Sequence, residues 1–144
     1  MNEETEELEE EEEKEYQIED AEKNSDNEEF MLQALKDKAW WVLAYASERL
    51  LSKKEFILQA VKSEGQLLYY ASKELRDDKE IVTAAVENKW LILKYASKRL
   101  RGDKDIALLA LSKSKKADIY LTEEIKKDPD VDEILHPKEE ENNG

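Results

Sequence analysis

The phrase Tyr-Ala-Ser returns at a fixed interval. Tyr45-Ala46-Ser47, Tyr70-Ala71-Ser72 and Tyr95-Ala96-Ser97 lie 25 residues apart. The next beat falls on Tyr120-Leu121-Thr122, where the phrase has decayed. A leucine-type residue follows each tyrosine by five places, at Leu50, Leu75, Leu100 and Ile125. An internal period of this length restricts the chain to a repeat architecture, in which one small unit recurs and leans on its neighbours.

Two apolar patterns alternate within the period. The first is Phe30-Met31-x-x-Ala34-Leu35, which returns as Phe56-Ile57-x-x-Ala60-Val61, Ile81-Val82-x-x-Ala85-Val86 and Ile106-Ala107-x-x-Ala110-Leu111. Apolar residues at i, i+1, i+4 and i+5 form a broad stripe on one helical face. The second pattern carries the tyrosine phrase, as in Val42-Leu43-x-Tyr45-Ala46-x-x-x-Leu50, and its spacing also predicts a helix with one buried side. No stretch alternates with period two between turn signals, so no strand competes. The expectation is an all-α fold: a short right-handed helical-repeat stack, α-solenoid-like, of about four 25-residue helix-turn-helix units. Each unit is too small to bury its own apolar face, and stacking supplies the missing surface.

The boundaries follow from local chemistry. Ser25-Asp26-Asn27-Glu28 reads as a helix start capped by Ser25, and Ser52-x-x-Glu55 and Asp77-x-x-Glu80 have capping-box spacing. Gly65 and Gly102 fall where helices should end. Asp128-Pro129 gives a cap followed by proline at the first helical position. The short helix after it can cover the open end of the repeats with Val131, Ile134 and Leu135. Repeat one has an extra residue between its two patterns, since Leu35 to Tyr45 spans 10 positions and Val61 to Tyr70 spans 9. Repeat four is degenerate, with Lys115, Lys116 and Asp118 where repeat three has Trp90, Leu91 and Leu93. Atypical end units suit an array whose termini must face water.

Charge is unevenly placed. The net charge of −14 resides in residues 1–29, which hold 16 acids and two lysines, whereas residues 30–144 hold 21 acids and 21 bases. A glutamate-rich start with few sizeable apolar side chains cannot offset its ordering entropy, so residues 1–27 are expected to be a disordered acidic tail. Residues 28–135 form the repeat domain, and 136–144 a disordered C-terminal tail. There is no cysteine and no apolar run of about 20 residues, which excludes disulfides, thiolate metal sites and a membrane span. The acidic N-terminus is not a secretory signal. The expected location is the cytoplasm, or a host cytoplasm reached without a classical signal peptide.

The run Asp77-Asp78-Lys79-Glu80-Ile81-Val82-x-x-Ala85-Val86, followed by Trp90-x-x-Leu93-x-Tyr95-Ala96-Ser97-x-x-Leu100, resembles the repeats of the domain of unknown function 4116 family. The resemblance covers about residues 28–125 and is strongest over 53–101. Asn88-Lys89-Trp90 lacks the glycine usual in that family, which Gly65 supplies one repeat earlier. The resemblance implies an all-helical repeat and no activity. Similar members occur among bacterial secreted effectors, which points to partner-directed binding.

Chemistry finds little support. The single histidine, His136, lies beside Pro137 at the C-terminal end. Ser47, Ser72 and Ser97 have no histidine near in sequence to activate them, and are expected to bond back to their own helix. Asp128-x-Asp130-x-Asp132 opens like a calcium loop, but Glu133 stands where such a loop needs glycine. No catalytic, cofactor or metal residue is therefore assigned. Lys98-Arg99-Arg101 and Lys113-Lys115-Lys116 are small basic clusters in a neutral body, so direct nucleic-acid binding is disfavoured. Trp40 and Trp90 share one repeat position and are expected in the core. Trp41 and Tyr69 break the repeat: their counterparts are Gln66, Leu91 and Lys116, and Ala44, Lys94 and Ile119. Large amphipathic rings at such positions are candidate partner contacts; the alternative is end-repeat packing for Trp41 and a half-exposed Tyr69. The function expected is a non-catalytic protein–protein interaction module whose acidic tail contacts a basic partner surface. The alternative is an effector or inhibitor whose tail imitates nucleic acid against a basic groove; an enzyme is a third class.

Overall fold

The computed structural model describes residues 15–139. Most of the expected acidic tail, residues 1–14, lies outside them, as do residues 140–144. The described residues are all-helical. The α-helices are α1 (Ile18–Lys23), α2 (Glu28–Lys36), α3 (Glu48–Leu51), α4 (Lys54–Ser63), α5 (Lys79–Asn88), α6 (Lys98–Arg101), α7 (Lys104–Lys113) and α8 (Pro129–Leu135). Between them run four six-residue 3₁₀ helices: Trp40–Tyr45, Gly65–Tyr70, Trp90–Tyr95 and Lys115–Tyr120. Each ends on a repeat tyrosine, and they are called the first to fourth tyrosine helices.

The first apolar pattern forms α2, α4, α5 and α7. Its positions are buried except for the half-buried Phe30, and include Phe56, Ile57, Ala60 and Val61 in α4 and Ile81, Val82, Ala85 and Val86 in α5. A buried side chain the size of Phe56 or Ile81 contributes about 1.5–3 kcal/mol over leaving it in water. Contacts follow chain order: α2 meets α4, α4 meets α5, α5 meets α7, and α7 meets α8. The tyrosine helices pair in the same sequence, first with second, second with third, third with fourth. The alanine of each stripe lets neighbours come close. A Cβ on Gly65, which opens the second tyrosine helix, would stand 2.7 Å from the Ala85 carbonyl oxygen.

The second pattern departs from expectation. It is not one α-helix but a 3₁₀ helix, a break, and a new short turn. Ala46, Ala71, Ala96 and Leu121 all adopt extended backbone, with ψ of 145°, 152°, 156° and 148°. The residue after the break restarts the helix. The Ser47, Ser72, Ser97 and Thr122 hydroxyls each accept the amide three residues on, from Leu50, Leu75, Leu100 and Ile125 at 3.3 Å. Ser47 and Ser97 are the N-caps of α3 and α6, and Ser72 and Thr122 accept the same amide at the start of the equivalent turns, so none is a back-bonded helical hydroxyl. Their own amides reach across the unit boundary. Ser47 donates to the Ser25 carbonyl, Ser72 to Leu51, Ser97 to Arg76 and Thr122 to Arg101, at 2.7, 2.9, 3.0 and 3.2 Å.

Alternate units share a further feature. Ser47 and Arg49 both donate to Asp26, and Ser97 and Arg99 both donate to Asp77. In the intervening units Ser52 and Gly102 replace the aspartate, and Glu74 and Glu124 replace the arginine. The short turn follows suit: it is α-helical in α3 and α6, and 3₁₀ at Leu75–Asp77 and Ile125–Lys127. The complete structural repeat is thus two beats long.

Lysines join consecutive units on the single 25-residue beat. Lys54 bridges Asp78 and Glu80, Lys79 bridges Asp103 and Asp105, and Lys104 bridges Asp128 and Asp130. Asp78, Asp103 and Asp128 are also the N-caps of α5, α7 and α8. The cap of α5 is therefore Asp78, not Asp77. Likewise Asn27, not Ser25, caps α2, and Lys53 precedes α4 without a side-chain cap. The Asp128-Pro129 start of α8 is as the spacing predicts, with Val131 buried.

Two N-terminal details differ from the sequence reading. α1 lies inside the stretch expected to be disordered, because Ala21 is buried and Tyr16 packs edge-on against Phe30 with ring centroids 5.7 Å apart. The Tyr16 hydroxyl donates to Asp37; burial first, then that carboxylate, push the phenol up to about 12. The extra residue of repeat one is absorbed at Lys38, whose φ of 60° is left-handed. The Lys38 amide donates to Leu35 and the Ala39 amide to Ala34, closing α2 in a Schellman turn.

Two outcomes are expected. Lys38→Gly should stabilise the fold by about 1 kcal/mol, because a left-handed side chain costs about 1–2 kcal/mol and glycine's extra unfolded-state entropy returns part of that; urea unfolding measures it. Asp103 is pushed up by burial, but the Ile106 amide and Lys79 outweigh this and hold it below its ordinary value. A lowered carboxyl adds stability that is complete above its ordinary pKa and is lost as pH falls through the folded-state value. Asp78 and Asp128 are lowered in the same way. Thermal melts should therefore drop as pH falls below about 4. Asp103→Asn, which keeps a capping oxygen without the charge, should flatten that drop and cost about 1 kcal/mol at neutral pH.

Candidate functional site

A 3₁₀ helix has three residues per turn, so positions i and i+3 share one face. In the first three tyrosine helices the two central residues point inward: Val42 and Leu43, Leu67 and Leu68, and Ile92 and Leu93 are buried, while in the fourth Ala117 is buried and Asp118 half-buried. The positions four and one before the tyrosine point outward. These are Trp41 and Ala44, Gln66 and Tyr69, Leu91 and Lys94, and Lys116 and Ile119, all exposed. Because the tyrosine helices contact one another in order, the eight positions form a continuous face across the repeats.

Large apolar side chains concentrate there. Trp41 is 42% exposed, Tyr69 57%, Leu91 43% and Ile119 71%. Among the described residues, the one other large exposed hydrophobic is Ile18 in α1. Both aromatics singled out in the sequence, Trp41 and Tyr69, line one open cleft of about 420 Å³, together with Trp40, Gln66, Tyr70 and Tyr95. Tyr69 is braced: its ring meets Tyr70 edge-on at 5.2 Å and Tyr95 at 5.0 Å. Trp41 stands edge-on to Tyr45 at 6.0 Å. Rings held this way present area without much rotamer freedom left to lose on binding. Lys94 lies over the Tyr95 ring, 4.9 Å from its centroid.

Trp40 and Trp90 are half-buried rather than fully in the core. Trp90 tilts against Tyr120 at 6.5 Å. The Trp40 indole nitrogen is buried without a hydrogen-bond partner among the described residues. Leu91 and Ile119 were missed by sequence reasoning, although they occupy the repeat positions of Trp41 and Tyr69. The signal was the three-residue offset between those positions, which marks one face once the segment is known to be 3₁₀.

The other sequence features take structural places. The serines cap turns, and Ser47 and Ser97 are further tied to aspartates that they and the neighbouring arginines hold below the ordinary range. His136 is exposed at the end of α8, with Nδ1 3.0 Å from Asp132. Lys98, Arg99 and Arg101 border a shallow depression together with Glu123, Glu124 and Asp128, so its charge is mixed. No helix among the described residues is long and apolar enough to cross a membrane.

Comparison with known proteins matches residues 27–76 and 78–126 to one family, described as Domain of unknown function (DUF4116). The chain belongs to this family. Each matched DUF4116 segment spans two tyrosine beats, the same unit marked out by the alternating Ser–Asp–Arg clusters. The match confirms the family and the tandem repeat read from the sequence. No curated protein and no solved structure matches the chain.

The face is not part of the core, and stability tests that directly. Ile119→Ser should change stability by about 0.5 kcal/mol or less, as at other exposed sites. Leu93→Ala, two positions inward of Leu91, should cost about 2–5 kcal/mol. Equal losses in urea unfolding would mean that Ile119 is covered.

Proposed function

We propose that this DUF4116 chain is a non-catalytic protein–protein interaction module. Its repeats form a short right-handed, α-solenoid-like stack, and the tyrosine helices carry the contact face. The observation behind this reading is the gathering of Trp41, Tyr69, Leu91 and Ile119 on one side, while the other large apolar side chains among the described residues, Ile18 apart, are buried or half-buried. Exposed patches of this kind, with aromatic anchors and a polar surround, suit a macromolecular partner. A cysteine-free chain is suited to a reducing compartment, the cytoplasm of its own cell or of a host.

The acidic segment supports a second reading. Sixteen acids in residues 1–29 would let that segment steer toward, or occupy, a basic surface of the partner, as a nucleic-acid mimic does. Competition with DNA or RNA for a basic target, fading steeply with salt, distinguishes that reading.

Co-purification from native-host extract tests the proposal. Baits are the full chain, a chain lacking residues 1–14, and the full chain carrying Trp41→Ala, Tyr69→Ala and Ile119→Ser. Truncation stops at 14 because Tyr16 and α1 pack on the repeats. A partner held by the first two baits and lost, by about tenfold or more, from the third is expected for a hot-spot face. A partner retained equally by the triple variant would overturn the assignment of the face. One lost only on truncation would favour the acidic-segment reading.

A further inference from the structure

The charge on the tyrosine-helix face runs against that of the chain. Of 144 residues, 37 are acids, yet the 24 residues of the four tyrosine helices contain one, the half-buried Asp118. The same segments hold Lys94, Lys115 and Lys116, all exposed. None of these three makes an ion pair among the described residues, whereas Lys54, Lys79 and Lys104 are each locked between two carboxylates of the next unit. Among the described residues Lys94 lies over the Tyr95 ring but pairs with no carboxylate, and neither do Lys115 and Lys116; two of the three, Lys94 and Lys116, occupy outward positions between the exposed apolar anchors.

We infer that this face binds an acidic segment of polypeptide, lying extended across the tyrosine helices with a large apolar side chain at about every third residue. The inference rests on the reading of the face as a contact surface and adds the chemistry of the partner. Three considerations lead to it. Exposed lysines among apolar anchors, with Asp118 as the one acid of the four tyrosine helices and Glu64 at the cleft already paired with Lys89, complement a partner of negative charge. Packed helices lie about 8–10 Å apart, which three residues of extended polyproline II chain span at about 3.1 Å each while returning every third side chain to one face. Two of the four large anchors, Leu91 and Ile119, are aliphatic; single-stranded nucleic acid is held on aromatic platforms along a strongly basic groove, so a peptide fits this face better.

Fluorescence anisotropy with the full chain tests it, using a labelled peptide of repeated Glu-Asp-Leu triplets as the probe. Comparison probes are repeats of Ser-Asn-Leu, Lys-Lys-Leu and Glu-Asp-Ser, and labelled oligothymidylate. The Glu-Asp-Leu peptide should bind more tightly than every comparison probe. Lys94→Glu with Lys116→Glu should weaken it by about tenfold or more through like-charge opposition. Trp41→Ala with Tyr69→Ala should weaken it comparably, while circular dichroism of both variants stays unchanged. Equal binding of the Ser-Asn-Leu peptide would overturn the acidic preference and leave the contact face standing. Preference for oligothymidylate or the lysine peptide, or no binding by any leucine peptide, would overturn the inference. In those cases the co-purification with the triple variant still decides whether the face is a contact surface.

Discussion

One backbone hydrogen bond, repeated at every beat, sets the geometry of this protein. The amide after each extended Ala or Leu donates to a carbonyl of the preceding unit: Ser72 to Leu51, Ser97 to Arg76, Thr122 to Arg101. That bond requires the chain to leave helical conformation at the residue before, and the hydroxyl at the same position then starts the next turn. A serine or threonine thus closes one helix, opens another and fastens two units. Removing an amide from its own helix is costly in a buried setting unless another acceptor takes it. Here the neighbour supplies the acceptor, so the break and the inter-unit contact depend on each other.

The 3₁₀ conformation of the tyrosine helices is what builds the exposed face. With three residues per turn, the inward pairs Val42–Leu43, Leu67–Leu68 and Ile92–Leu93 remain in the core while residues on either side of each pair line up outside. An α-helical winding would rotate successive residues by a different angle and spread Trp41 and Tyr69 away from a common line. The tyrosines themselves, half-buried at the edge, brace the exposed rings, as Tyr70 and Tyr95 do for Tyr69. Electrostatics is arranged in the opposite sense at the helix starts. There Lys54, Lys79 and Lys104 are consumed in bridges to capping aspartates, which satisfy helix N-termini and unit boundaries at once.

Much of this was legible in the residues. The 25-residue beat, the stripes of α2, α4, α5 and α7, the Asp128-Pro129 helix start and the family resemblance follow from spacing and local chemistry. The winding of the second pattern did not. Apolar positions such as Val42, Leu43 and Leu50 are compatible with a continuous α-helix, and a hydroxyl three residues before a leucine reads equally as a helical serine or a cap. The acceptor that decides between them, Leu51 for Ser72, belongs to another unit and is invisible to local patterns. α1 was missed for a related reason: its composition opposes order, and the contacts of Ala21 and Tyr16 with distant residues supply it. Of the candidate contacts, Trp41 and Tyr69 were found because they interrupt the repeat as rings. Leu91 and Ile119 are less conspicuous by type and emerge through their place on the face.

The most direct test of this account is the set of through-hydrogen-bond scalar couplings, by NMR, from the amide nitrogens of Ser72, Ser97 and Thr122. Couplings to the carbonyl carbons of Leu51, Arg76 and Arg101, one unit back, are expected. Couplings to Leu68, Leu93 and Asp118 instead would show a continuous α-helix through the tyrosine phrase, and would remove both the inter-unit fastening and the face built upon it.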